Sequence, residues 1–507
     1  MDDRAAIPEQ TPVKHNGMSC AVSTGLAVLL ACAVLLPLLG HKLLADWDEG
    51  IYAEISREML GRSWLVPTWN FQPWFEKPPL MMWITALFFK LFGVHEFWAR
   101  AGSALSGVAI VGVLHSWLMR RGCRLSAWLS TFILLTTFGF LHVCRMGEMD
   151  VLLALGCCVA MRGLADVSQR RLGGWYWFWG GFAIALMTKG AASVVLVLTA
   201  TVVAALGRWG SQYLGRQFWL GLTGFVLVVV PWHVVMWQRF GSAFLAEYLG
   251  FHALTRATQQ IEGHTTHWWY YLWVLLVSAA PYVLLFPAAI AKAFRRVELR
   301  PWAIFALVVV GFFSVVQTRL PHYIAAAYPA MALLTAVYTA DWLREFAVKK
   351  SWKPRAFWTT VVAAMIIAWG LGALATSAPR KQLHSERVNG KITHEEKESI
   401  VLLRDVFRKP QPAGPVLVWR ESDTRSIATI IFYTHRPVQQ VQLQPPPVSV
   451  PRDKYIFDPG PLDVMVAAEP RVILLDKSLV SRIPQGMVYT PIASGTAMEV
   501  GTIRRGE

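Results

Sequence analysis

Leu80-Met81-Met82-Trp83-Ile84-Thr85-Ala86-Leu87-Phe88-Phe89-Lys90-Leu91-Phe92-Gly93 is apolar for about 14 residues. A helix needs about 20 apolar residues to cross the hydrocarbon layer, so this length predicts a re-entrant or interfacial segment instead of a span. Whether it crosses sets the side on which every later segment emerges. If it does not, Arg120-Arg121-Arg124, Arg170-Arg171, Arg208 with Arg216, Lys292 to Arg300 and Arg344 to Arg355 all fall on one side. The other side carries Asp46 to Lys77, Arg145 to Asp150, Lys189, Arg239 to His267 and Arg319 to Tyr323. The positive-inside rule makes the first side cytoplasmic.

The runs that qualify as spans, or nearly so, are 20–44, 98–119, 126–143, 150–166, 175–188, 190–206, 218–237, 269–291, 302–317, 321–342 and 357–377, which makes about 11. The 507 residues are 55% hydrophobic and 16% charged, with 24 Trp and 26 Phe. A soluble core could not hide that much apolar surface. The net charge of +16 sits in short clusters between apolar runs, which reads as membrane topology and excludes nucleic acid as a partner. The six Cys lie in or beside apolar segments without metal-site spacing and read as small apolar helix residues. The run from Cys20 to Leu39 is too long for a typical signal sequence and reads as a retained anchor, with the N-terminus cytoplasmic.

Two segments on the non-cytoplasmic side are long, 45–97 and 238–268. In the first, Ile51, Ile55 and Met59 recur every fourth position after Asp48, the pattern of an amphipathic helix lying in the interface. Asp48 stands at its N-terminal end, where a carboxylate is favoured. Residues 1–377 form the membrane domain. From Ala378 onward the chain turns polar and Pro-rich, with strand-like 415–419 and 471–475 and a helix-like 426–434. This predicts an all-α polytopic membrane domain followed by a small α/β domain, 378–507, on the non-cytoplasmic side.

Four clusters share that side: Asp48, Glu49, Glu76 and Lys77; Arg145 to Asp150; Arg256, Glu262 and His264 before the aromatic stretch 268–271; and Arg319-Leu320-Pro321-His322-Tyr323. Each alone reads equally as solvated charge, helix capping or an interfacial anchor. Together they place acids, cations and an imidazole at one membrane surface. A lipid or solute transporter, the alternative, would hold its polar residues near the midplane on broken helices in matching halves, and no such symmetry is seen.

Asp48-Glu49-x-x-Tyr52-Ala53-Glu54-Ile55-Ser56-Arg57-Glu58-Met59 and Phe75-Glu76-Lys77-Pro78-Pro79-Leu80 resemble the first outer loop of the GT-C glycosyltransferases of bacteria. The likeness is greatest to the lipid A aminoarabinose transferases, relatives of the protein O-mannosyltransferases. Arg319 to Tyr323 resembles their Lys-Leu-Pro-x-Tyr element, and His264 before Trp268 resembles their His-containing loop. The resemblance covers roughly residues 20–340. It implies a bacterial inner-membrane enzyme with its active site in the periplasm. The reaction implied is inverting transfer of a sugar from a polyprenyl-phosphate donor to a lipid or glycan acceptor of the envelope. It further implies Asp48 as the catalytic acid of the first loop and Asp150 as a second acid. Glu76 and His264 match metal-binding positions, and Lys77, Arg256, Arg319 and Tyr323 match positions near the lipid phosphate. One carboxylate and one His suit zinc or manganese better than magnesium. Ile51, Trp74 and Arg319 stand where the aminoarabinose transferases tend to have Arg, Tyr and Lys, so the sugar is less firmly implied than the reaction.

Overall fold

A computed structural model describes residues 19–45, 48–255, 267–350, 394–420, 427–441, 462–466 and 469–506. In chain order its first helices are α1 (Cys20–Leu35), α2 (Asp48–Gly61), α3 (Leu80–Phe92), α4 (Glu96–Arg120), α5 (Arg124–Thr136), α6 (Phe138–Cys144), α7 (Asp150–Ser168), α8 (Gly174–Lys189), α9 (Val194–Leu206) and α10 (Arg216–Leu245). Its strands are β1 (Thr68–Trp69), β2 (Gln72–Pro73), β3 (Val416–Trp419), β4 (Val438–Gln440), β5 (Arg471–Asp476), β6 (Met487–Ser494) and β7 (Met498–Arg505). Contacts divide the chain into one unit of 1–41, 75–84 and 100–387, and another of 42–74, 85–99 and 388–507.

The first unit is helical and apolar. Among the described residues four helical segments are long and apolar enough to cross a membrane: Glu96–Arg120, Asp150–Ser168, Gly174–Leu206 and Arg216–Gly250. Two bent pairs would raise this to six. Cys20–Leu35, Leu80–Phe92 and Arg300–Val315 are shorter apolar helices. The expected spans at 126–143 and 269–291 are each a bent pair of helices. The first bends by 69° after α5. There Thr136 and Thr137 donate their hydroxyls to the carbonyls of Phe132 and Ile133, competing with the helix's own ladder. The second bends by 118° between Tyr270–Ser278 and Tyr282–Ala293, where Pro281 has no N–H to continue the helix. The expected run at 321–342 opens with a short 3-10 turn, Pro321–Ile324, before the helix Ala327–Lys350. The run at 357–377 lies outside the described residues.

The α7–α8 hairpin fixes the geometry that matters most. A Cβ on Gly163 would lie 2.4 Å from the Gly174 carbonyl oxygen, and one on Gly181 would lie 2.4 Å from the Gly156 carbonyl oxygen. Both pairs sum to the same residue number, so they are two rungs of one antiparallel register, seven residues apart on each helix. Small residues let the backbones touch, as membrane helices do in place of hydrophobic driving force. About two turns beyond the Gly156–Gly181 rung, the first residue of α7, Asp150, comes beside the last of α8, Lys189.

In the second unit β4, β3, β5, β7 and β6 form one sheet in that order. β3 pairs parallel with β4 and β5, and β7 pairs antiparallel with β5 and β6. The helix Ile427–Thr434 carries the chain from β3 to β4. Leu417, Trp419, Ile473, Leu475 and Ile503 fill the sheet's core. α2 buries Ile51, Ile55 and Met59, the stripe its sequence period marks. It also buries Glu49, Glu54 and Glu58, which periodicity does not foresee.

Candidate active site

Asp150 opens α7, where a carboxylate meets the orphan N–H groups of the first turn. Lys189 closes α8, where Gly190 follows at φ +46 and ends the helix. Lys189 Nζ lies 2.8 Å from Asp150 Oδ1. The same ammonium sits 4.7 Å from the centre of the Tyr323 ring. His322 Nε2 lies 4.0 Å from Asp150 Oδ2. The Glu148, Asp150 and His322 ligand atoms all fall within 4.8 Å of one another, and all three residues are buried.

Tyr271 donates its hydroxyl to the Leu320 carbonyl at 3.1 Å, pinning the 319–323 turn to the start of the Tyr270–Ser278 helix. Arg319 is buried and donates from Nη2 to the Ser314 carbonyl at 2.8 Å. Its guanidinium is thereby anchored through one edge. Thus the stretches 145–150 and 319–323, expected as two separate clusters, meet around Asp150. Lys189 joins them.

Glu76 is buried, and Lys77 Nζ stands 3.8 Å from its Oε2. The preceding Phe75 packs on Phe240 and Phe244 and donates its N–H to Glu247 Oε1 at 3.3 Å. These contacts fix the backbone immediately before the Glu76-Lys77 pair.

Asp48 falls in the second unit, half-buried at the N-terminus of α2. Beside it Glu49 accepts from the Ala45 N–H at 2.7 Å. Glu58, on the same helix, accepts from Thr68 Oγ1 at 2.6 Å and from the Phe71 N–H at 3.0 Å. Burial, with the Glu54 charge beside it, pushes the Glu58 carboxyl up to about 7. Arg256 and His264 lie outside the described residues.

Sequence reasoning named Asp150, Arg319 and Tyr323 but not Lys189, Glu148, His322 or Glu247 as site residues. A usable signal for Lys189 was a cation inside an apolar run at the non-cytoplasmic end. For Glu148 and His322 it was membership of clusters already singled out. Nothing in the local sequence pointed to Glu247.

Residues 76–237 match the family model described as dolichyl-phosphate-mannose-protein mannosyltransferase. The undecaprenyl phosphate-alpha-4-amino-4-deoxy-L-arabinose arabinosyl transferase of Serratia proteamaculans is 29% identical over 331 residues, covering 62% of this chain and 59% of its own length. The protein of the same name from Edwardsiella ictaluri is 30% identical over 331 residues, covering 62% of this chain and 58% of its own. These matches therefore span less than two thirds of the curated relatives. The crystal structure of ArnT from Cupriavidus metallidurans bound to undecaprenyl phosphate superposes with a TM-score of 0.70. It covers 94% of this chain and 97% of that one at 21% identity, a likeness of fold. The transporter alternative finds no support in these likenesses. The chain therefore shares the fold of ArnT and is similar in sequence, over 62% of its length, to the aminoarabinose arabinosyl transferases.

Proposed function

We propose that this protein transfers a sugar, with inversion, from a polyprenyl-phosphate donor to an acceptor of the bacterial envelope at the periplasmic face. The specific reading is aminoarabinose to lipid A. The observation that carries it is the Asp150–Lys189–Tyr323 assembly, beside the Arg319 turn, in a chain with the fold of a protein crystallised with undecaprenyl phosphate. Cations at the ends of helices suit a lipid phosphate that must leave as an anion.

In this reading the acceptor oxygen attacks the anomeric carbon while the bond from that carbon to the phosphate oxygen breaks. Asp48 takes the acceptor's proton, or orients an acceptor that is already an anion. Lys77, Arg256 and Arg319 neutralise the charge developing on the phosphate, and Tyr323 adds a hydroxyl donor. Asp150 is the second acid, held in place by Lys189. The buried Glu76 carboxylate fits a metal ligand in being a hard oxygen donor on a backbone stiffened by Pro78-Pro79, and we assign it that role with His264. A zinc or manganese ion there would supply Lewis-acid neutralisation of the same phosphate. The Glu148–Asp150–His322 group could also hold a cation. Its Asp150 already carries the Lys189 ammonium, which favours Glu76 and His264.

The proposal keeps about 11 spans in residues 1–377, with the N-terminus cytoplasmic, and an α/β domain in 378–507 on the periplasmic side. The positive-inside distribution supports this orientation. The test is mass spectrometry of envelope glycolipids from cells with and without the protein. A sugar added to lipid A only in its presence is expected. Identical glycolipid profiles in a cell that makes the donor would overturn the reading.

A further inference from the structure

Two hydrogen-bonded ties flank the helix that carries Asp48, one before it in the chain and one after it, and both come from one short stretch near the C-terminal sheet. On the N-terminal side of α2, the Leu44 N–H donates to Tyr433 Oη at 3.1 Å, and that hydroxyl donates to Glu96 Oε1 at 3.0 Å. On the C-terminal side, Asn70 exchanges two bonds with the backbone of Val438. Its Oδ1 accepts from the Val438 N–H at 2.9 Å, and its Nδ2 donates to the Val438 carbonyl at 3.1 Å. Between the ties, the Ile427–Thr434 helix packs on α2, with Phe432, Ala53, Leu44, Phe89 and Ala99 in one apolar cluster.

The second tie is built at a conformational cost. Thr68 pairs with Pro73 and Trp69 with Gln72, so Asn70 and Phe71 form a two-residue hairpin turn. Both have positive φ, 49° and 66°. Asn tolerates that region, whereas Phe seldom adopts it. Phe71 is held there by Glu58, which accepts its N–H, and by Arg62, which donates to its carbonyl at 3.2 Å and stacks 5.0 Å from its ring centre. Strain of this kind persists only where surrounding contacts over-determine it. The turn aims the Asn70 amide at β4, an outer strand of its sheet among the described residues. A side-chain amide offers one acceptor and two donors, so it stands in for a neighbouring strand at that edge.

We infer that the Tyr433–Val438 segment sets the position of Asp48, with Asn70 and Tyr433 as positioning residues of the transfer reaction. This rests on the proposed role of Asp48. A proton acceptor must lie within hydrogen-bond reach of the acceptor hydroxyl, and a displacement of about 1 Å from a remote change can cost about a hundredfold in rate. The C-terminal residues thereby gain a task in catalysis without touching the substrate.

The test uses the full-length protein in lipid nanodiscs, with undecaprenyl phosphate-linked aminoarabinose and lipid A as probes. Asn70→Ala and Tyr433→Phe are each measured for amide hydrogen exchange across residues 48–61 and for steady-state kinetics. Tyr433→Phe keeps the ring and its packing, so it stays informative if Asn70→Ala does not fold. The expected result is faster exchange in 48–61 and kcat lowered about tenfold or more, with donor KM within about twofold of wild type. Unchanged exchange, or faster exchange with unchanged kcat, would overturn the inference. Faster exchange in a protein whose wild type is inert with this donor would support the ties and overturn the donor reading, so the two failures are separable.

Discussion

Asp150 and Lys189 form a 2.8 Å ion pair across the α7–α8 hairpin, each at the helix end that the peptide dipoles favour for its charge. Both side chains are largely withdrawn from solvent, at 4% and 13% exposure. Removing one partner of such a pair strands the other charge, which costs about 3–5 kcal/mol. Lys189→Met should therefore sharply reduce the amount of folded protein in membranes. The double variant Asp150→Asn/Lys189→Met should restore the amount but not transfer, because the second acid is gone. Quantitative immunoblotting with a donor-transfer assay checks both. Transfer by the double variant at wild-type rate would remove the pair from the site.

Asp48→Asn and Glu76→Ala, compared at matched amounts of membrane protein, should each abolish transfer from a radiolabelled polyprenyl-phosphate sugar. Full activity in Asp48→Asn would take it out of the catalytic role.

Metal analysis of the purified protein distinguishes two ligand sets. Glu76→Ala and His264→Ala should lower bound zinc or manganese, while His322→Ala should leave it unchanged. Loss of metal in His322→Ala and Glu148→Gln instead would move the ion to the Asp150 cluster.

Glu58 predicts a pH dependence. Its carboxyl is raised from 4.5 to about 7, so the fold favours the protonated form. Its stabilising share is complete below about pH 4.5 and is lost as pH rises through 7. His435 acts in the opposite sense, since burial and the Arg57 charge lower it to about 4 and charging it in acid opposes folding. The difference between Glu58→Gln and wild type isolates the carboxyl. Thermal shift should show the variant gaining on wild type between pH 5 and pH 8. A constant difference across that range would refute the assignment.

Gly190 lies at φ +46, and a Cβ there would meet Tyr248 Oη at 2.5 Å. Gly190→Ala should cost about 1–3 kcal/mol in strain alone. It should also displace Lys189 and lower transfer. Adding Tyr248→Phe should recover only the steric part, measured as melting temperature, because the φ penalty stays.

The sequence by itself determined whatever depends on neighbours along the chain. The 14-residue limit on 80–93 is met by a helix of 13 residues, Leu80–Phe92, and Ile51, Ile55 and Met59 are the buried stripe of α2. Hydropathy and period are local properties, so these were legible. The bends at Thr137 and near Pro281 were harder to read, because an apolar run looks the same straight or broken. Tertiary structure alone decided that Asp150 meets Lys189 and His322, since that follows from glycine rungs and helix ends brought together across long separations. It also decided that Asn70 binds Val438, 368 residues further along the chain. Such pairings are set by where backbones can approach and which buried polar atoms must find partners, and neither condition is written in any short stretch of residues.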